Sequence, residues 1–198
     1  MANKIGIFSF SAIEVAHLLA SVITIAFAFS LFKGEGLGFD PNQFFIVLIA
    51  VGSAFILHEL GHRTVARSYG VHSEYRAWTW GLFLAIVMAF ATRGTFVFAA
   101  PGAVYIFGRV TREQNGKISI AGPATNFLVA IVFLAVYLAF PTLADIALMG
   151  AYINIILGAF NMFPFGPLDG HKIYAWNNRA WGALFAGFVV LLFAMGGI

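Results

Sequence analysis

The chain has 198 residues, of which 61% are hydrophobic and only 10% are charged, whereas a water-soluble domain is about 45–50% apolar and about 25% charged. This composition excludes an ordinary soluble domain and a disordered chain, and the absence of cysteine excludes a disulfide scaffold and thiol chemistry. The net charge is +3, but the basic residues are scattered between apolar segments. We therefore expect them to flank membrane spans, and we expect no nucleic-acid partner.

Five apolar segments reach the length of about 20 residues that a membrane span needs. They cover residues 10–32, 44–67, 118–140, 144–163 and 180–198. Residues 81–91 are also apolar but too short to span, which is typical of a re-entrant or interfacial piece. If they do not cross and Met1 is cytoplasmic, all 11 Lys and Arg residues except Lys33 lie inside. A crossing by residues 81–91 would weaken this bias, so the positive-inside rule favours five spans.

Residues 95–108, TFVFAAPGAVYIFG, carry β-branched and aromatic residues on both sides of Pro101 and Gly102. Pro followed by Gly suits the centre of a type II turn, so the segment predicts a small β-hairpin. Lipid does not tolerate an open sheet edge, so the hairpin must lie at the interface, against protein or beside a wet cavity. The alternative is a loop folded against the helices.

The predicted fold class is thus an all-α polytopic membrane protein with five to six transmembrane helices and a small re-entrant or interfacial β-hairpin. Residues 1–198 are expected to form a single transmembrane core domain. The lipid bilayer is its expected surrounding, with multi-pass insertion in the cell membrane.

The sequence HELGH lies near the end of the second predicted span, at residues 58–62. Residues four apart on a helix share a face, so His58 and His62 can hold one metal ion while Glu59 reaches a water on it. Three ionisable side chains at membrane depth are costly and favour a functional interpretation. The alternative is an interfacial helix end with solvated histidines.

A catalytic zinc site usually has three protein ligands and an open position. The segment NMFPFGPLDG, residues 161–170, contains Pro and Gly residues that stop the fourth helix near membrane depth. Asp169 is its one acidic side chain, so we predict it as the third ligand, with His171 as the competing candidate. A plain loop with a solvated Asp169 is the alternative.

Two further polar features lie in apolar segments. AGPATN, residues 121–126, contains small residues that allow close helix approach, and Asn126 is predicted to hydrogen-bond to another helix. Glu14 and His17 lie three apart on one face of the first span. They could form a second metal site or a gate, but a local pair near the helix end is the prediction.

Three features of this chain match the motifs of one family in type, order and spacing. They are HELGH on a membrane helix, GPATN at the start of a later helix, and a set of residues that follows a fourth helix: Asn161, Pro164, Asp169 and Gly170. The chain resembles the site-2 protease family of intramembrane zinc metalloproteases over most of its length. It has no room for the PDZ or CBS domain of larger relatives.

The resemblance implies one Zn²⁺ per chain held by His58, His62 and Asp169, with Glu59 as catalytic base. It implies cleavage of peptide bonds within or near transmembrane segments of other membrane proteins. The charge bias of the loops, with HELGH near the cytoplasmic end of the second span, predicts an active site towards the cytoplasmic side. The resemblance places Asn126 and Asn161 near the site; from its residue type, the Asn161 amide is a candidate oxyanion donor. A metal or proton transporter using the same His and Asp cluster is the alternative, but inverted repeats are not apparent.

A substrate helix must unwind before its backbone can be cleaved, because its carbonyls are hydrogen-bonded internally. The predicted hairpin could hold the substrate extended by adding it as another strand. Val97 and Val104 are the candidate edge positions, one on each strand.

Overall fold

The computed structural model describes residues 9–33, 36–94 and 101–196. Within these ranges there are seven α-helices and four short strands. The helices are α1 Ala12–Ser30, α2 Pro41–Ser68, α3 Thr79–Ala91, α4 Arg112–Ala139, α5 Ala144–Asn161, α6 Asp169–Trp176 and α7 Asn178–Met195. The strands are β1 Phe32–Lys33, β2 Gly36–Leu37, β3 His72–Ala77 and β4 Gly102–Phe107.

Five helical segments among the described residues are long and apolar enough to cross a membrane: α1, α2, α4, α7, and α5 with the short turn of helix that precedes it. The helix α3 is apolar but has only 13 residues, well below the length of about 20 that a span requires. The predicted five-span membrane protein with one short apolar segment is therefore confirmed, and its helices make it a multi-pass membrane protein.

Polar residues cap the start of four of the five long helices, α1, α2, α4 and α7, where backbone N–H groups have no partner within the helix. The Asp40 side chain accepts hydrogen bonds from the backbone of Asn42 and Gln43 at the start of α2. Thr111 and Gln114 form a reciprocal capping box at the start of α4. These caps satisfy backbone donors that lipid could not satisfy.

The helices α2, α4 and α5 pack against one another and form the centre of the molecule. Small residues let them approach closely. A Cβ on Gly61 of α2 would lie 2.8 Å from the Ala121 carbonyl oxygen and from the Thr125 hydroxyl of α4. On the opposite side, Gly150 of α5 faces the Phe133 ring of α4. Dense packing replaces the hydrophobic effect, which is absent between helices in lipid.

A two-stranded antiparallel sheet lies beside this centre, in which β4 pairs with β3 and Val104 is opposite Tyr75. The sheet is as small as predicted, and the strand that pairs with β4 among the described residues is β3, which precedes α3 in the chain. The pairing continues past Gly102, because the Trp78 N–H donates to the Pro101 carbonyl at 2.8 Å. Residues 95–100, including Val97, lie outside the described residues.

One face of α1 binds the other edge of β3. The buried Glu14 carboxylate accepts from Arg63 Nε of α2 at 2.8 Å and from the Tyr75 N–H at 3.0 Å. The Ala77 N–H donates to His17 Nδ1 at 3.3 Å. The predicted local pair of Glu14 with His17 is therefore wrong, since each side chain reaches across to a different element. Together they fix the sheet against α1 and α2.

Candidate active site

His58 and His62 lie one turn apart on α2, and their Nε2 atoms are 3.0 Å from each other. Their imidazole rings are almost perpendicular. Both side chains are buried, with 3% and 8% exposure. The helix therefore brings the two rings to one point inside the helix bundle, as the four-residue spacing predicted.

Asp169 is the first residue of α6, after the irregular segment at residues 162–168. Its Oδ2 lies 3.2 Å from His58 Nε2 and 3.0 Å from His62 Nε2. The next residue, Gly170, has no space for a side chain, because a Cβ would collide with the carbonyl oxygens of Met162 and Phe163. This close contact of α6 with the end of α5 directs Asp169 towards the histidines.

These three residues are the one group among the described residues that could hold a metal ion through at least three His, Cys, Asp or Glu side chains. Zinc binds nitrogen and oxygen at about 2.0–2.2 Å, so tetrahedral ligand atoms lie roughly 3.3 Å apart. The three observed separations, 3.0 to 3.2 Å, fit this value. The donor set of two imidazoles and one carboxylate is also typical of zinc.

The second nitrogen of each imidazole has an acceptor on α4. His58 Nδ1 lies 2.5 Å from Asn126 Oδ1, and His62 Nδ1 lies 2.8 Å from the Ile118 carbonyl oxygen. Acceptors at Nδ1 favour the tautomer that carries hydrogen there and leaves the Nε2 lone pair for a metal. Asn126 also donates to the Ala54 carbonyl at 2.8 Å, so its predicted hydrogen bond to another helix is confirmed.

Gly122 of α4 lies directly under the two imidazoles. A Cβ at this position would be 2.7 Å from His58 Nε2 and even closer to the His62 ring. The absence of a side chain at this position of GPATN therefore leaves room for the two histidine rings and also allows close helix packing.

Glu59 lies on α2 beside the histidines and faces a cavity of about 490 Å³. Its Oε2 accepts a hydrogen bond of 2.9 Å from the Val104 N–H of β4. The cavity is lined by the three possible ligands, by β4 and by residues of α4, α5 and α6. Glu59 thus lies between the histidines and the edge of the sheet, without being part of the three-residue group.

The other predicted site residues differ in their surroundings. Asn161 lines the cavity, and its Nδ2 donates to the Leu157 carbonyl at 3.0 Å. The exposed His171 has its Nδ1 3.3 Å from the Gly166 carbonyl oxygen, apart from the histidine pair. Lys172, which was not predicted, lies 3.6 Å from Asp169 Oδ1 at the cavity.

Two pKa values outside the membrane spans are shifted by this environment. Burial acts to raise the pKa of Asp169, but the charge of a protonated His62 and the hydrogen bonds that both imidazoles donate when protonated, with no metal on their Nε2 atoms, hold it below the usual range. Burial raises the pKa of Tyr75 above that of an ordinary phenol, against the effect of its hydrogen bond to Ser21. The neutral Tyr75 hydroxyl donates to the Pro101 carbonyl at 2.8 Å and fixes the start of β4.

Asn154 of α5 belongs to none of the predicted site residues, yet it is fully buried and accepts a hydrogen bond from Asn126 at 3.0 Å. An amide side chain within an apolar helix was the available signal, because such a group needs a partner in lipid.

Comparison with known proteins agrees with this geometry. Residues 46–147 match the family model of peptidase family M50. The chain is 47% identical over 180 residues to "Putative zinc metalloprotease MJ0611" of Methanocaldococcus jannaschii, covering 89% of this chain and 91% of that protein. It is 32% identical over 147 residues to "Zinc metalloprotease MJ0392" of the same organism, covering 70% of this chain but only 36% of that protein.

No solved structure gave a match. The family match covers about half of the chain, and the first relative covers nearly all of it. The chain therefore belongs to peptidase family M50, the site-2 protease family that its motifs resemble, and is a zinc metalloendopeptidase.

Proposed function

We propose that this protein is an intramembrane protease that hydrolyses peptide bonds within or near the transmembrane segments of other membrane proteins. The observation that carries the proposal is the burial of His58, His62 and Asp169 inside a bundle of apolar helices, next to a cavity that Glu59 faces. A protease for soluble substrates would not need its site at this depth. Residues 1–198 act as one membrane core in this proposal.

The position of the histidines along α2 supports this depth. The helix has 28 residues, so it is roughly 42 Å long at 1.5 Å per residue, longer than the hydrocarbon core of about 30 Å. His58 lies ten residues before the end of α2 at Ser68, roughly 15 Å along the axis. With α2 across the bilayer in this way, the site would lie below the membrane surface rather than on it.

In the proposed mechanism, His58, His62 and Asp169 would hold the zinc ion. When bound, zinc supplies a Lewis acid that acidifies a water molecule and polarises the scissile carbonyl. Glu59 accepts the proton of the attacking water and returns it to the leaving amine. Asn161, on the cavity wall, can turn a side-chain N–H towards the oxyanion.

The cavity-facing edge of β4 is the proposed binding site for an extended substrate. Val104 is opposite Tyr75 in the sheet. The Tyr75 N–H points out of the β3 edge and donates to Glu14, whereas the Val104 N–H points out of the β4 edge and donates to Glu59. Hydrogen-bonding directions repeat every two residues in an antiparallel pair, so Ile106 has the same orientation. A substrate strand added there would lie beside Glu59 and the histidines.

The active site is proposed to lie towards the cytoplasmic side. The helices α2 and α4 are antiparallel, because His58 contacts Asn126 while His62 contacts Ile118. The end of α2 and the start of α4 are therefore on one side, and they carry Arg67 and Arg112. This side is the basic one, as expected for cytoplasmic loops.

Single-cysteine variants can test this orientation, because the chain has no cysteine of its own. Asn178→Cys lies at the start of α7 on the basic side, and Thr142→Cys lies in the turn before α5. On intact cells, a membrane-impermeant maleimide should label Thr142→Cys, whereas Asn178→Cys should react only after permeabilisation. The reverse labelling pattern would invert the proposed orientation.

Glu59→Gln should retain about one zinc per chain but lower proteolysis by roughly 10²–10⁴-fold, the usual contribution of general acid–base catalysis. The measurement is cleavage of a panel of single-span membrane proteins by detergent-solubilised enzyme, with zinc determined by elemental analysis. Glu113→Gln is the matched control, because Glu113 is an exposed residue paired with Lys117. A Glu59→Gln enzyme with wild-type activity would refute the assignment of the base. Wild-type enzyme that cleaves none of the membrane proteins would refute the intramembrane proposal.

Gly122→Ala should lower zinc affinity about tenfold or more, because the new methyl group displaces both imidazoles. Gly182→Ala is the control, since nothing lies within 4 Å of a Cβ on Gly182. Competition with a chromophoric chelator measures the affinity of both variants. Equal zinc affinity of the two variants would show that the histidines of α2 do not hold the metal.

Ile106→Pro should slow cleavage several-fold while zinc content and thermal stability stay near wild type, because proline removes an N–H that points away from β3. Tyr105→Pro is the contrasting variant: it removes an N–H that faces Glu74 across the sheet, so it should lower stability. Val104→Pro also removes the hydrogen bond to Glu59 and is therefore less specific. Unchanged cleavage by Ile106→Pro, at full stability, would contradict substrate binding at this edge.

A further inference from the structure

Asn154 is a polar residue in the middle of α5, an otherwise apolar helix, and its side chain is fully buried. A buried amide without hydrogen bonds destabilises the folded state, so its donors and acceptor need partners. The residue lies outside HELGH, GPATN and the Asp169 segment. Its partners therefore show what the side chain contributes.

The amide orientation of Asn154 is determined by the Gly150 carbonyl, which can only accept a hydrogen bond. Its Nδ2 donates to the Gly150 carbonyl at 2.8 Å. The opposite orientation would place two oxygens against each other, so Oδ1 must face the other way, where Asn126 Nδ2 donates to it at 3.0 Å. A secondary contact of Nδ2 with Ser53 Oγ is longer, at 3.4 Å.

The hydrogen-bond partners of Asn126 determine the orientation of its side-chain amide as well. Its Nδ2 carries two hydrogens, and they have two acceptors: the Ala54 carbonyl at 2.8 Å and Asn154 Oδ1. The Asn126 Oδ1 is therefore directed to His58 Nδ1, 2.5 Å away. Because this oxygen accepts, Nδ1 must donate, and the His58 Nε2 lone pair points to Asp169 and His62.

We propose that Asn154 is a positioning residue for the metal site, which acts through Asn126 to set the tautomer and ring orientation of His58. The inference rests on the proposed assignment of His58 as a zinc ligand. Asn154 itself touches neither zinc nor substrate. It joins α5 to α2 and α4 by hydrogen bonds that end at a metal ligand.

The test measures zinc affinity of the detergent-solubilised full chain by chelator competition. Asn154→Leu leaves one Asn126 N–H without its acceptor, and zinc affinity should fall about tenfold, as for other partners of metal ligands. The visible spectrum of the cobalt-substituted variant should also change, since the ligand field depends on the His58 geometry. Ile155→Ala is the matched control: it opens a cavity at a fully buried neighbour on α5, so it should lower thermal stability but leave zinc affinity unchanged.

A double variant separates action through Asn126 from an independent effect. Asn126→Leu with Asn154→Leu should bind zinc no more weakly than Asn126→Leu alone. Wild-type zinc affinity in Asn154→Leu, or losses that simply add in the double variant, would overturn the inference. His58→Ala identifies which assumption failed. If it binds zinc like wild type, the ligand assignment is wrong; if it loses zinc while Asn154→Leu does not, only the role of Asn154 is wrong.

Discussion

The hydrogen bond between His58 and Asn126 lies at the junction of the three central helices, and the geometry of the site depends on it. Lipid supplies no hydrogen-bond partners, so each polar group at this depth must find its partner within the protein. Asn126 meets this requirement with one amide that joins the α2 backbone, Asn154 of α5 and a histidine. The same constraint that holds the helices together therefore also orients an imidazole of the group that could hold a metal ion.

Close helix packing is the second condition for such a site. Gly122 lets the backbone of α4 approach the imidazoles, and Gly61 lets α2 approach α4. Because these contacts are made by backbone atoms, they leave little freedom for the rings. The buried pair of Glu14 and Arg63 extends this arrangement to the sheet, since Arg63 follows His62 directly and Glu14 also binds β3. These contacts thus fix the position of β4 relative to the histidine pair.

Much of the architecture was predictable from local sequence. The spans could be located because apolar length alone determines whether a helix can cross a bilayer, and HELGH predicted the histidine pair because helical spacing is fixed. The predicted pair of Glu14 and His17 was wrong, and the pairing of β4 with β3 was not predicted. Both concern contacts between segments that are distant in the sequence, where turn chemistry and spacing carry no information.

The sequence by itself determined the membrane class, the five spans, the family and the residue types of the possible metal donors. These follow from composition, the regular spacing of residues along a helix, and short motifs. The sequence offered Asp169 as the third ligand and His171 as its competitor, and the tertiary structure brings only Asp169 to the histidines, because helix packing directs just one of these two side chains inward. The tertiary structure also decided the roles of Asn154, Glu14 and β3. The physical reason is that a hydrogen bond between distant segments depends on where the helices bring their side chains together, which no local pattern specifies.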